Sequence, residues 1–207
     1  MTTYSPIAAP PRFCSHCGGV LRERLLDAED RPRLVCDRCQ HIHYLDPKVV
    51  VGVIIERGER VLLLRRAIHP RYGTWTFPGG FMEVDETAEA AGQREVEEEV
   101  GLRVKAGPLL GVYSRPAPDG PGILVVVFRS GRPTGRLRIG REVLEARWFH
   151  PDDIPWDELS FNTTHWALRD WLNSQPNRGL RSAVGATPCG CPQGARLRPP
   201  RRPPEAD

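Results

Sequence analysis

The sequence predicts an α/β protein: a mixed sheet held between helical layers, with a small cysteine-bearing unit ahead of it. Three observations carry that prediction. Lys48–Ile55 is a nearly continuous β-branched apolar run, and a second apolar run, Val61–Arg66, follows it after a turn. Thr87 to Val100 is rich in Ala, Glu, Gln and Arg, all good helix formers, and Gly101 stands where helices commonly stop. Ser160 to Leu172 places Phe161, Ala167, Leu168, Trp171 and Leu172 on one broad face. Strands bracketing two helices argue for a sheet covered on both faces. A chain of 207 residues can bury one such core and still carry an appendage.

Residues 1–12 are expected to be a flexible N-terminus. Residues 13–46 hold Cys14-Ser-His-Cys17 and Cys36-Asp-Arg-Cys39, two CxxC pairs separated by eighteen residues that can form a small hairpin. Four thiolates satisfy tetrahedral Zn²⁺ and leave no open coordination position, so the expectation is a structural zinc ribbon on Cys14, Cys17, Cys36 and Cys39. Two disulfides fit an intracellular chain poorly. His16, His41 and His43 are alternative ligands by position, but a full thiolate set favours reading them as bystanders. The segment between the pairs mixes acids with bases and lacks aromatic stacking residues. The ribbon therefore reads as a structural lid or dimer element, with a homodimer among the expected assemblies, rather than as a nucleic-acid reader.

The main domain is expected over 47–175. Lys48–Ile55 reads as a buried strand, Arg57–Arg60 as a turn and Val61–Arg66 as the hairpin partner. Gly73–Phe77 is a short strand entering a Pro78-Gly79-Gly80 turn, whose glycines allow close backbone approach to a ligand. Phe81–Val84 is a further extended piece. Leu102–Ser114, interrupted at Gly107-Pro108, and Ile123–Phe128 read as strands around a Pro/Gly-rich loop over 115–122. A turn at Gly131–Gly135, a strand at Val143–Phe149 and a loop at Asp152–Pro155 precede the last helix, with Ser160 as its expected cap.

The chemistry is expected on the first helix. Glu95, Glu98 and Glu99 lie at spacings that share one helix face, while Val96 and Val100 fall elsewhere and can pack inward. Like charges on one face repel unless a cation sits among them, and oxygen-only ligands suit Mg²⁺ or Mn²⁺. A solvated acidic face is the plain alternative. Against it stand the glycine pair upstream and the spacing: Gly80, five residues, Glu86, seven residues, then Arg94-Glu-Val-Glu-Glu-Glu-Val-Gly-Leu102.

That spacing resembles the Nudix hydrolase signature at every fixed position. Phe13-Cys-Ser-His-Cys-Gly-Gly19, Asp46-Pro-Lys-Val-Val-Val-Gly52, Gly73-Thr-Trp-Thr-Phe-Pro-Gly-Gly80 and Ile154-Pro-Trp-Asp-Glu-Leu-Ser-Phe161 narrow the likeness. They resemble the zinc-ribbon group containing the plant plastid FAD/ADP-ribose pyrophosphatase and, more distantly, bacterial NADH pyrophosphatases. Those NADH enzymes carry a Gln-Pro-Trp-Pro-Phe-Pro-like segment after the box, and nothing similar stands between Leu102 and Phe149. The likeness covers about residues 13–172.

The resemblance implies an α/β/α sandwich and a Mg²⁺- or Mn²⁺-dependent pyrophosphatase. It would cleave the diphosphate of ADP-ribose, FAD or a dinucleotide to release a mononucleotide. Glu95, Glu98 and Glu99 would hold the cation, with a backbone carbonyl near Gly79 or Gly80 completing its shell. Arg94 and Glu86 would pair to orient the acidic helix, and Glu97 would be solvated. The general base is open between Glu95, Glu98 and a carboxylate of the 141–145 segment, with Glu142 ahead of Glu145. Arg65, Arg66 and Arg115 are candidates for phosphate contacts, and core packing is favoured for Trp75 and Phe77 over stacking on a base. The competing readings are a non-catalytic Nudix sensor that binds nucleic acid through its ribbon or tail, and a hydrolase of oxidised nucleoside triphosphates.

The formal net charge of +3 is uneven: residues 176–207 hold six Arg against two acids, leaving the body slightly acidic. That Pro- and Arg-rich tail is expected to be disordered, with Cys189 and Cys191 as incidental thiols. No apolar run approaches the ~20 residues that cross a bilayer, and the N-terminus lacks a basic start with an apolar core. The expectations are no membrane partner, a cytoplasmic location, a small nucleotide substrate and no nucleic-acid partner.

Overall fold

The structure is a computed structural model, and the residues it describes are 10–27, 29–116 and 122–175. The expectations for residues 1–9, for the 176–207 tail and for Cys189 and Cys191 lie outside those residues. Three short strands open the chain: β1 (Leu21–Arg24), β2 (Arg33–Cys36) and β3 (Ile42–His43), antiparallel in that order. They frame the four cysteines, and Cys14, Leu21 and Cys36 form their small buried cluster.

The main sheet is built from β4 (Lys48–Arg57), β5 (Arg60–Arg66), β9 (Ala106–Arg115), β10 (Ile123–Ser130) and β12 (Val143–Phe149), in the order β12-β5-β4-β10-β9. Two short strands join it: β6 (Trp75–Thr76) on β5 and β7 (Gly79–Phe81) on β4. β10 runs parallel to β4 and the other pairs are antiparallel, so the sheet is mixed as predicted. A separate pair, β8 (Leu102–Arg103) with β11 (Thr134–Gly135), lies after the first helix.

The unbroken apolar reading of β4 and β5 has a direct cause. Val53 and Ile55, with Leu62 and Leu64, face the cluster holding Val96 and Val100 of helix α1 (Ala88–Val100). Ile54, with Val61 and Leu63, faces the cluster holding Ala167, Leu168 and Trp171 of helix α2 (Asn162–Asn173). Alternate side chains point to opposite faces, and both faces are covered, so every position must be apolar. The result is the expected α/β/α sandwich behind a cysteine-bearing ribbon.

Three local expectations are corrected. Pro78-Gly79-Gly80 is not followed by a strand over Phe81–Val84. The pairing comes earlier, with Gly79, Gly80 and Phe81 opposite Gly52, Val51 and Val50, and Val84 is fully exposed. Gly107-Pro108 does not interrupt β9, because the sheet absorbs it as a register shift near Phe128. Ser160 does not cap α2. Its buried hydroxyl donates to the Trp75 carbonyl at 2.9 Å and meets the Thr74 hydroxyl at 2.8 Å, stitching the helix lead-in to β6. No described helix is long and apolar enough to cross a membrane.

Candidate active site and cysteine cluster

Helix α1 is set in place at both ends. The Thr87 hydroxyl accepts the Ala90 N–H at 3.2 Å, and Gly101 closes the helix at φ 67°, a left-handed conformation that glycine adopts without strain. Val96 and Val100 bury one side completely, and Ala91 and Gly92 lie close against β4. The helix rotation is thereby fixed, and Glu95 and Glu99, one turn apart, face a cleft of about 410 Å³.

The Glu99 carboxylate accepts the backbone N–H of Gly79 at 2.8 Å. Burial drives its pKa up to about 8, reinforced by the nearby charges of Glu95 and Glu142 and opposed by the Gly79 N–H and Arg66. Burial raises Glu95 as well, against the pull of Arg94. Gly80 allows this arrangement: a Cβ there would lie within 2.6 Å of Glu95 Oε2. Glu142 and Arg66 line the same cleft, and burial lowers the Arg66 pKa against the pull of Glu99 and Glu142.

Arg94 is the hub beneath these groups. It donates to Glu86 at 2.6 and 3.1 Å, to Glu95 at 2.8 Å, to Glu98 at 3.2 Å and to the Phe81 carbonyl at 3.0 Å. Glu86 is held down at about 2, first by Arg94 and then by the Glu83 backbone N–H. Glu98 does not line the cleft, and its side chain is 60% exposed. The helix thus brings Glu95 and Glu99 together and leaves Glu98 outside the cleft lining, joined to Glu95 through Arg94.

Of the other candidates, Arg66 and Arg115 reach the cleft. Arg65 does not: it is bound to the Gly73 carbonyl at 2.7 Å and to Glu145 at 3.4 Å. Glu145 also pairs with Arg147 at 3.1 Å, away from the cleft. Glu97 pairs with Arg103 on the outside. Trp75 and Phe77 are buried in the core, and Phe77 also borders the cleft.

Sequence reasoning missed Thr76, Thr163 and Thr164 on the cleft wall, and His69 and Phe161 at its edge. Two buried threonines opening an otherwise amphipathic helix were the available signal. The remaining wall is mostly apolar, with Val50, Ile123 and Val125 contributed by β4 and β10, and it carries one further carboxylate, Glu83.

The donor set fits a hard divalent cation. Two carboxylates are driven into a cleft where burial outweighs their hydrogen bonds, a third faces them, and oxygen ligands prefer such ions. Among the described residues, Cys14, Cys17, Cys36 and Cys39 are the only group of three or more side chains whose metal-ligand atoms all lie within 4.8 Å of one another. Cys14 and Cys39 are 3.8 Å apart and Cys17 and Cys36 3.5 Å, close to the roughly 3.8 Å expected of sulfurs each about 2.3 Å from one tetrahedral zinc. Backbone N–H groups of Cys39 and Arg38, with the Cys17 thiol, draw the Cys36 pKa down to about 6, whereas, against the His41 backbone N–H, the neighbouring thiols and burial push that of Cys39 up to about 12.

A sandwich presenting an acidic, arginine-braced helix to a cleft is the arrangement of a hydrolase acting on phosphoanhydrides. The family model for the NUDIX domain matches residues 46–172, and the model described as Nudix N-terminal, a zinc ribbon, matches residues 12–45. The chain belongs to the Nudix hydrolase family. It is 42% identical over 120 residues to the ADP-ribose pyrophosphatase of Methanocaldococcus jannaschii, covering 58% of this chain and 70% of that one. It is 35% identical over 145 residues to the NAD-capped RNA hydrolase NudC of Salmonella paratyphi C, covering 70% of this chain and only 53% of the relative. The crystal structure of a NUDIX hydrolase from Nitrosomonas europaea matches with a TM-score of 0.72 at 38% identity, covering 80% of this chain and 95% of that one.

Proposed function

We propose that the protein is a Mg²⁺- or Mn²⁺-dependent pyrophosphohydrolase. Its substrate is a nucleoside diphosphate linked to a second group, as in ADP-ribose, FAD or a dinucleotide, and a mononucleotide is released. The observation that carries this reading is the convergence of Glu95, Glu99, Glu142 and Arg66 on one cleft with an apolar wall. The Methanocaldococcus relative is named for ADP-ribose and the Salmonella relative for NAD-capped RNA.

Glu95 and Glu99 would hold the catalytic cation from the cleft, and Glu98 would join them only on leaving Arg94. When bound, the cation neutralises diphosphate charge and lowers the pKa of a water ligand. Arg66 supplies a partly desolvated guanidinium for a phosphate oxygen, an interaction strengthened where water is scarce. Glu142 faces the carboxylate pair from the cleft lining and takes the proton of the attacking water. Arg94 and Glu86 position the helix. Val50, Ile123 and Val125 give an organic moiety an apolar surface and exclude water from the diphosphate. The cysteines hold a structural Zn²⁺.

A panel of ADP-ribose, FAD, NADH, dinucleoside polyphosphates and nucleoside triphosphates, each with Mg²⁺ or Mn²⁺ and scored for released mononucleotide, tests the reading. Cleavage of a linked diphosphate that disappears with chelator is the expected result. If none is cut, or only triphosphates are, the reading fails.

A further inference from the structure

The chain leaves the sheet after β10, pairs β11 with β8, then passes across the C-terminal end of α1 before entering β12. The Arg138 N–H donates to the Val100 carbonyl and the Gly140 N–H to the Glu99 carbonyl, each at 2.9 Å. Arg136 and Arg138 lie against Gly101, whose added Cβ would meet the Arg138 Cβ at 3.0 Å and the Arg136 carbonyl at 3.3 Å. Arg132, Arg136, Arg138 and Arg141 are all exposed along this crossing, and Lys105 is exposed two residues past Arg103, which pairs with Thr134.

Some charge elsewhere on the body is answered, although among the described residues Arg12, Arg31, Arg38, Lys48, Arg57, Arg60, Arg71 and Arg169 also lack an ion pair. Arg22 and Arg24 hold Asp37, Arg33 holds Glu29, Arg129 holds Glu56, and Arg103 beside the crossing holds Glu97. Among the described residues, Lys105, Arg132, Arg136, Arg138 and Arg141 have no ion-pair partner. Four unpaired arginines on one crossing, with Lys105 beside it, repel one another, a cost that an extended polyanion removes. The crossing runs from Arg132 to Arg141, and the next residue, Glu142, lines the cleft.

We propose that this strip binds the sugar-phosphate backbone of single-stranded RNA, leading to the cleft mouth. The choice of nucleic acid over other polyanions rests on reading the cleft as a nucleotide-diphosphate site. Exposed Leu137 and Ile139 alternate with the arginines and offer apolar contact to unstacked bases. The strip lies on the main domain rather than on the ribbon.

The test uses the full chain and a labelled short RNA of mixed sequence, with anisotropy measured over rising KCl. The triple variant R132Q/R136Q/R138Q should bind more weakly and reduce the salt slope by about 2, at about 0.7 for each single-strand phosphate that is no longer neutralised. Its hydrolysis of free ADP-ribose should match wild type. A second variant replaces the six arginines of residues 176–207 with Gln. The proposal is overturned if the triple variant keeps wild-type binding and slope, or if only the tail variant loses RNA. It is also overturned if the strip arginines govern binding to phosphatidylserine vesicles and not to RNA. Wild-type protein that binds RNA through the strip yet cuts no linked diphosphate would uphold the strip and refute the cleft reading.

Discussion

Glu99 and Gly79 are joined by a 2.8 Å hydrogen bond from the glycine backbone to the carboxylate, tying the last turn of α1 to the first residue of β7. This contact and the Arg94 bond to the Phe81 carbonyl together hold helix, strand and acidic cleft in line. Glu99→Gln keeps an acceptor for that N–H and removes only the buried charge. With the cation's contribution lost, turnover should fall about 10²-fold or more. Steady-state kinetics on a cleaved diphosphate check this, and an unchanged rate would remove Glu99 from the metal-binding set.

The same residue sets a pH dependence in the metal-free protein. A carboxylate whose folded pKa is about 8, above its unfolded value, binds more protons folded than unfolded in the interval between them. Stability therefore falls as pH rises from about 4.3 toward that value, because the buried charge must form. Chelated wild-type protein should lose melting temperature across this window, and Glu99→Gln should lose less. Parallel melting curves would refute the burial argument.

Glu86 gives the opposite sign. Its folded pKa is depressed to about 2 by Arg94 and the Glu83 N–H, so its contribution is present above the unfolded carboxylate pKa of about 4.3. That contribution is lost as pH falls toward the folded value. Glu86→Gln should flatten the acid side of the stability profile and leave the neutral side with a constant offset. Urea titrations over an acid pH series measure both.

The sequence exposed most where local rules and tertiary demand agree. The double-sided burial of β4 and β5 is written as unbroken apolar runs, the stop of α1 as Gly101, and the Glu86–Arg94 brace as a spacing. Less was legible where partners come from afar. Ser160 has the composition of a cap, yet its hydroxyl is used by Trp75, 85 residues away in sequence. Glu98 sits at ligand spacing, but its exposed side chain is paired with Arg94 outside the cleft lining. Thr163 and Thr164 carry no motif and acquire a role only when α2 is laid beside β6.

The cysteine cluster has a separate prediction. Cys14 is buried with Cys36, and its sulfur lies 3.8 Å from Cys39. Cys14→Ser removes one of four soft ligands, so zinc content should fall from about one per chain and the ribbon should lose stability. Metal analysis after dialysis, with a thermal melt beside it, decides the matter. A variant that stays folded and zinc-free would show that the metal is not structural.

Gly80→Ala separates catalysis from stability most cleanly. The new methyl would stand within 2.6 Å of Glu95 Oε2, so either the carboxylate or the strand must move. The carboxylate is the end of a flexible side chain, whereas Gly80 is paired with Val51 in the sheet, so the carboxylate yields. Melting temperature should then change little, because a rotamer shift costs only about 0.5–1.5 kcal/mol. Turnover should fall about tenfold or more, since Glu95 no longer presents its oxygen where the cation is held, and half-saturating Mg²⁺ should rise. A Mg²⁺ titration of the hydrolysis rate reads both quantities. Unaltered metal dependence would mean that Glu95 holds no cation in this orientation, and Glu99 with Glu142 would have to hold it instead.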